Sequence, residues 1–123
     1  MRILIVDDMP EMRMLLRTFI ESEKHTVLEA TNGQEAVEAA QRWTPDLILM
    51  DLCMPVMDGY EATRQIRKTQ SGVSIPIVAI SADYNGGASK KALDAGCDMC
   101  VDKPMSSAQL HTLFDILAQA AHI

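Results

Sequence analysis

Short apolar runs alternate with amphipathic stretches along the whole chain. Ile3 to Val6, Thr26 to Ala30, Leu47 to Met50, Ile75 to Ile80 and Cys100 to Asp102 read as strands. Leu47 to Met50 is apolar throughout, which predicts a central strand, whereas Thr26 to Ala30 is weaker and suits an edge. Pro76 falls at the start of its strand, where a missing donor is tolerable. The intervening segments carry helical spacing. From near Pro10 to Glu23, the stripe Met12, Leu15, Leu16, Phe19 and Ile20 recurs at i, i+3, i+4, i+7 and i+8 and predicts one buried face. A second helix, Gly33 to Trp43, turns Ala36, Val37 and Ala40 inward and is stopped by Pro45. Asp58-Gly59 opens a third, carrying Ala62 and Ile66 to the core. The fourth runs from about Ala88 to Ala95 and ends on Gly96 as a left-handed cap. The last starts near Ser106 or Ser107 and presents Leu110, Leu113, Phe114 and Leu117.

Five strand–helix alternations predict an α/β fold, a doubly wound parallel sheet with helices on both faces. Right-handed crossovers leave few topologies, and the order 2-1-3-4-5 places strands one and three side by side with a switch point between them. Ligands bind such sheets outside the carboxyl ends of the strands.

With 123 residues, 48% of them apolar, the chain suits one domain, 1–123, around one packed interior. A net charge of −6 argues against nucleic acid and against anionic membrane surfaces as partners. No apolar run approaches the ~20 residues of a membrane span. The N-terminal run meets two acids at once, so it does not read as a signal peptide. Three cysteines, an odd number, fit reduced thiols and a cytoplasmic location. Cys97 and Cys100 have C-x-x-C spacing, but the pair enters a strand instead of opening a helix. A metal site would want a second pair, so both read as core fillers.

The chemistry gathers at strand ends. Asp7 and Asp8 close the first run and Asp51 the third, while Ser81 and Lys103 end two further runs. Clustered carboxylates repel, and one is driven toward protonation unless a cation sits between them. Oxygen ligands at adjacent strand ends point to a hard divalent ion, Mg2+ first. Each residue also has a plainer reading: Asp8 as a helix N-cap, Asp51 as a loop cap, Ser81 as turn chemistry, Lys103 as a solvated charge. All five at one mouth by accident is a poor account. Asp58-Gly59 is read as a turn and helix start. Strand alternation aims Asp102 away from Lys103.

At this point the chain resembles a response-regulator receiver (CheY-like) domain. The likeness rests on Asp7-Asp8, on Asp51-Leu-Cys-Met-Pro55 followed by Met57-Asp58-Gly59, on Ser81-Ala82 after an apolar strand, and on Lys103-Pro104. It implies the flavodoxin-like (βα)5 architecture and a phosphoacceptor role for Asp51, with a phosphohistidine on a histidine kinase or histidine phosphotransfer protein as donor. Asp8 and Asp51 would bind Mg2+ directly, Asp7 through water, and the Cys53 backbone carbonyl would be another ligand. Ser81 and Lys103 would each hold a phosphoryl oxygen, with a cis Lys103-Pro104 bond aiming the ammonium inward. The domain would be no enzyme beyond its own phosphorylation and dephosphorylation. The 123 residues read as the receiver alone, so output is expected through a downstream protein, onward phosphotransfer or covalently linked hybrid-kinase domains.

The family places an aromatic or histidine three residues before the lysine; Cys100 stands there. Output at the face formed by the last two helices and the fifth strand is therefore expected to be weak, or to use another group such as Tyr84. Cys53 and Asp83, two residues past the acceptor and the hydroxyl, would tune hydrolysis. Met9 and Met105 are expected to flank the mouth as an adaptable surface. His25, His111 and His122 read as solvated, and Trp43 as packing. Two alternatives stand beside this reading. A haloacid-dehalogenase-like phosphatase would want an acid at Cys53 and length for a substrate cap. A binding-only receiver would not need all five site residues.

Overall fold

The computed structural model describes residues 1–70, 72–82 and 87–120. The elements follow in the order β1 (Arg2–Val6), α1 (Pro10–Ser22), β2 (Thr26–Ala30), α2 (Gly33–Trp43), β3 (Leu47–Asp51), α3 (Gly59–Arg67), β4 (Ile77–Ser81), α4 (Ala88–Ala95), β5 (Met99–Asp102) and α5 (Ser107–Ala120). All strand pairs are parallel and the sheet order is β2-β1-β3-β4-β5, the doubly wound arrangement the alternation implies. β3 extends one residue beyond its apolar run to include Asp51. β4 begins at Ile77, two residues later than the apolar run suggests. Pro76, having no amide hydrogen, stays outside it and lends only its carbonyl, which accepts from the Ile48 amide at 2.9 Å.

Period-two alternation splits the core into two layers. Leu4, Val6, Ile48, Met50, Ile77 and Ala79 face α2, α3 and α4. Ile3, Ile5, Leu47, Leu49, Val78 and Ile80 face α1 and α5, where Leu16, Ile20, Leu110, Leu113 and Phe114 meet them. β1, β3 and β4 are thus covered on both sides, which is why they read as unbroken apolar runs. The helix starts are local in origin. Asn32 caps α2 by accepting from the Glu35 amide at 2.9 Å. Asp58 does the same for α3 through the Glu61 amide at 2.9 Å. Ser106 and Gln109 form a reciprocal capping pair at the head of α5. Gly96 ends α4 with φ 119, as a left-handed cap requires.

Three expectations need correction. Leu15 is 62% exposed. α1 covers the sheet only beside α5, so the buried stripe narrows to Leu16 and Ile20, flanked by Met12 and Phe19. Leu15 lies at the rim of the α1–α5 groove, near Pro104 and Ser107. Met105 is buried in the layer under α5 and does not flank the mouth as an exposed side chain. Met9 does, at 48% exposure. His25 is half-buried, edge-on to Phe114 with ring centroids 4.7 Å apart, and its Nδ1 lies 2.8 Å from the N-terminal amine. Burial and that neighbouring positive charge lower its pKa. His111 does lie on the surface, paired with Glu23 and Asp115. His122 is outside the described residues. Trp43 packs on the core, with the Arg2 guanidinium 4.7 Å from its ring centre. Among the described residues, no helix is long and apolar enough to cross a membrane.

Candidate functional site

β1 and β3 are neighbours whose connections leave in opposite directions, so a crevice opens at their carboxyl ends. Asp7 leaves β1 held on both sides of its backbone. Its amide donates to the Ala30 carbonyl of β2 at 3.1 Å, and its own carbonyl accepts from Arg13 Nη1 at 2.9 Å. Its side chain turns into the crevice, where Oδ1 accepts from the Met9 amide at 2.9 Å. Asp8 follows, exposed at the rim. The N-cap of α1 is Met9, with no side-chain cap bond, so Asp8 is not committed to capping. Asp51 ends β3 buried, its Oδ1 accepting from the Cys53 amide at 3.3 Å. One carboxylate oxygen from each of Asp7, Asp8 and Asp51 lies within 4.8 Å of the others.

From the far side, Lys103 Nζ sits 3.3 Å from Asp7 Oδ2 and 3.4 Å from Asp51 Oδ2. Its backbone amide is anchored on the Ser81 carbonyl at 2.9 Å, and the peptide to Pro104 is cis. Ser81 is buried at the end of β4. With Leu52, Cys53 and Met54 it lines a crevice of about 370 Å³ beside the loop that follows β3. The structure therefore brings Asp7, Asp8, Asp51, Ser81 and Lys103 to one end of the sheet. Cys53 is exposed, whereas Cys97 and Cys100 are buried free thiols. Burial pushes both buried thiols above the ordinary range, further from thiolate reactivity. Cys100 fills core space on the α4 side of β5. Asp102 is exposed. Asp83 and Tyr84 lie outside the described residues.

Burial, with a smaller push from Asp7, raises the Asp51 pKa; the Cys53 amide and Lys103 only partly offset it. For Lys103, burial acts to lower the pKa, but Asp51 and Asp7 together outweigh it and hold the ammonium above its usual value. A single fixed cation thus divides its charge between two buried carboxylates. Oxygen-only donors this close suit a small hard dication.

The loop from Asp51 to α3 is tightly set. A Cβ on Gly59 would strike the Asp51 carbonyl and the Leu52 backbone, and one on Gly33 would strike the Met57 carbonyl. Between them, the Met57 amide donates to the Pro55 carbonyl at 2.8 Å, closing a three-residue γ-turn on Val56. Val56 has φ 70 and is 82% exposed. A β-branched residue is strained there and gains little from packing. Val56→Gly is expected to raise unfolding free energy by about 1 kcal/mol in urea titration, strain relief exceeding the entropy cost of glycine.

Sequence reasoning missed the supports beneath the site. Nothing in the sequence singles out Arg13 or Glu29, and only their pairing across α1 and β2 shows what they hold. Arg67 likewise gives no sign of its role. It donates to the carbonyls of Gly96 at 2.8 Å, Gly72 at 2.9 Å and Ile75 at 2.5 Å, and pairs with Asp98 at 2.9 Å.

Strand-end acids facing a lysine, on a doubly wound five-stranded sheet, define an α/β domain with a charged crevice at its switch point. The sequence matches the response regulator receiver domain over residues 3–115, and the chain belongs to that family. It is 38% identical to the chemotaxis protein CheY of Halobacterium salinarum over 117 residues, covering 94% of this chain and 96% of that protein. It is 37% identical to the sensor protein EvgS of Escherichia coli over 98% of this chain but only 10% of that protein. Among solved structures it resembles the receiver domain of sensor histidine kinase PA1611 from Pseudomonas aeruginosa, which has a magnesium ion coordinated in the active-site cleft. That likeness has a TM-score of 0.84 and 35% identity, over 96% of this chain and 94% of that one. Receiver domains are signalling domains of response regulators and hybrid kinases. The chain is accordingly a two-component receiver, and a haloacid-dehalogenase-like reading is not favoured.

Proposed function

We propose that Asp51 is the residue phosphorylated, in an Mg2+-dependent transfer from a phosphohistidine on a histidine kinase or phosphotransfer protein. The observation that carries this reading is the convergence of Asp7, Asp8 and Asp51 oxygens within 4.8 Å, with Lys103 bridging two of the three. The Asp51 carboxylate, at the end of the central strand β3, attacks phosphorus while the phosphorus–nitrogen bond breaks and its electron pair returns to the imidazole. Asp7, Asp8, Asp51 and the Cys53 carbonyl would hold Mg2+, which offsets charge on the carboxylates and the incoming phosphoryl oxygens. Ser81 donates to one phosphoryl oxygen. Lys103, already beside Asp51, pairs with another as the acyl phosphate forms.

The PA1611 receiver domain, with its magnesium, supports the choice of metal. The donor class rests on likeness to both stand-alone and kinase-linked receivers. The domain is taken as one unit, 1–123, working in the cytoplasm through partner contact or onward transfer. The small Cys100 side chain limits output at the β5 face. Asp83 and Cys53 tune the lifetime of the acyl phosphate.

Incubation with Mg2+ and acetyl phosphate, followed by intact mass measurement, tests the reading. One base-labile phosphoryl adduct is expected, absent from Asp51→Asn. Sustained phosphate release from simple phosphoesters would favour a phosphatase, and no adduct under any condition would leave a binding-only receiver.

A further inference from the structure

Asp7 and Asp8 occupy a loop, yet groups that hold one small cation, directly or through water, must be placed to a few tenths of an ångström. What fixes this loop lies below it. Arg13, one turn into α1, reaches back so that Nη1 donates to the Asp7 carbonyl at 2.9 Å. The same guanidinium is locked from the other side, with Nε donating to Glu29 Oε1 at 2.9 Å. Glu29 stands on β2 directly opposite Ile5 of β1. Its second oxygen is taken by Arg17 Nε at 2.6 Å. Partial burial acts to raise the Glu29 pKa, but its bonds to Arg17 and Arg13 prevail and keep the carboxyl below its ordinary range. It therefore stays ionised throughout the neutral range. Arg13 is itself largely enclosed, its side chain 16% exposed. A planar guanidinium with a fixed fork can serve both partners at once; an ammonium at the end of a flexible stem cannot.

We propose that Arg13, held in place by Glu29, is a positioning residue for divalent-cation binding, setting the Asp7-Asp8 turn through the Asp7 carbonyl. This rests on the reading that Asp7, Asp8 and Asp51 hold Mg2+, and it adds two residues that touch neither metal nor phosphoryl group. Charge and position pull in opposite directions here. Removing a cation beside an acidic pocket strengthens Mg2+ binding if only Coulomb attraction matters. Losing the brace weakens it, because outer supports of metal ligands typically contribute tenfold or more to affinity.

The test is calorimetric titration of MgCl2 into the unphosphorylated protein, which needs no activity readout. Arg13→Gln is expected to weaken Mg2+ about tenfold. Arg13→Lys, which keeps the charge but not the fork, is expected to weaken it in the same direction. Arg17→Gln removes the same charge from the same Glu29 carboxylate without touching Asp7, and should leave affinity equal or slightly tighter. Unchanged or tighter binding in both Arg13 variants overturns the proposal, as does equal weakening by Arg17→Gln, which would assign the effect to the ion-pair network at large. If Arg13→Gln does not fold by circular dichroism, Arg13→Lys decides alone. Failure of the wild-type protein to bind Mg2+ would indict the metal reading itself; wild-type binding with indifferent Arg13 variants would indict only the brace.

Discussion

Asp51→Asn is expected to make the metal-free domain more stable at pH 7 and, in saturating Mg2+, less stable than wild type. Both halves follow from one buried carboxylate. Burial first, and the charge of Asp7 second, hold the folded pKa of Asp51 above its unfolded value. A group raised in this way contributes stability that is complete below its unfolded pKa, about 4 for Asp, and lost as pH rises through the folded value. At pH 7 the ionised side chain is therefore a liability in the fold, of the order of 1 kcal/mol once solvent screening is allowed for. An amide removes it, and Lys103 keeps Asp7 as a partner at 3.3 Å. The advantage of the variant should shrink to nothing below about pH 4, where wild-type Asp51 is protonated in both states. Mg2+ reverses the order. A ligand at one hundred times its Kd stabilises the state that binds it by about 2.7 kcal/mol, and the variant has lost an anionic ligand. Urea titrations with EDTA and with excess MgCl2 should cross. Parallel shifts in the two proteins would contradict a role for Asp51 in the metal site.

Arg67→Ala is expected to lower unfolding free energy by about 3 kcal/mol, a large share of a small domain's stability. One guanidinium joins the end of α3 to the Gly72 and Ile75 carbonyls before β4 and to the Gly96 carbonyl after α4. It also pairs with Asp98, whose Oδ2 in turn accepts from the Ile77 amide at 2.9 Å, at the first residue of β4. Truncation strands these carbonyls and leaves Asp98 without its cation. Asp98 is exposed, so the ion pair is the smaller part and the carbonyls the larger. Arg67→Lys should recover less than half, since an ammonium cannot span carbonyls from three segments. Mg2+ affinity should not change, because these contacts lie at the end of the sheet away from the acids. A loss under 1 kcal/mol by urea unfolding would show that water replaces the guanidinium.

The fold was legible because its strands are short, apolar and bounded, and because Leu47 to Met50 could only be a central strand. The site was legible for a related reason. Asp7, Asp8, Asp51, Ser81 and Lys103 each follow such a run, and topology alone carries strand ends to one crevice. What escaped were features set by tertiary contacts. Leu15 has the right spacing for the core but sits where α1 runs out of sheet to cover. Met105 looked like a rim residue and is buried beneath α5. His25 is drawn from solvent by Phe114, nearly ninety positions along the chain. Arg13, Glu29 and Arg67 act through long side chains whose targets are backbone carbonyls, and no residue type marks a carbonyl in the sequence.

The central claim is that one divalent ion draws Asp7, Asp8 and Asp51 together around a carboxylate that can be phosphorylated. Anomalous diffraction from crystals grown with Mn2+ as a substitute for Mg2+ tests it most directly. The account predicts a single strong peak within ~2.3 Å of oxygens from Asp8 and Asp51 and of the Cys53 carbonyl, with Lys103 still beside Asp51. A peak elsewhere, or these carboxylates turned apart with no metal between them, would contradict it.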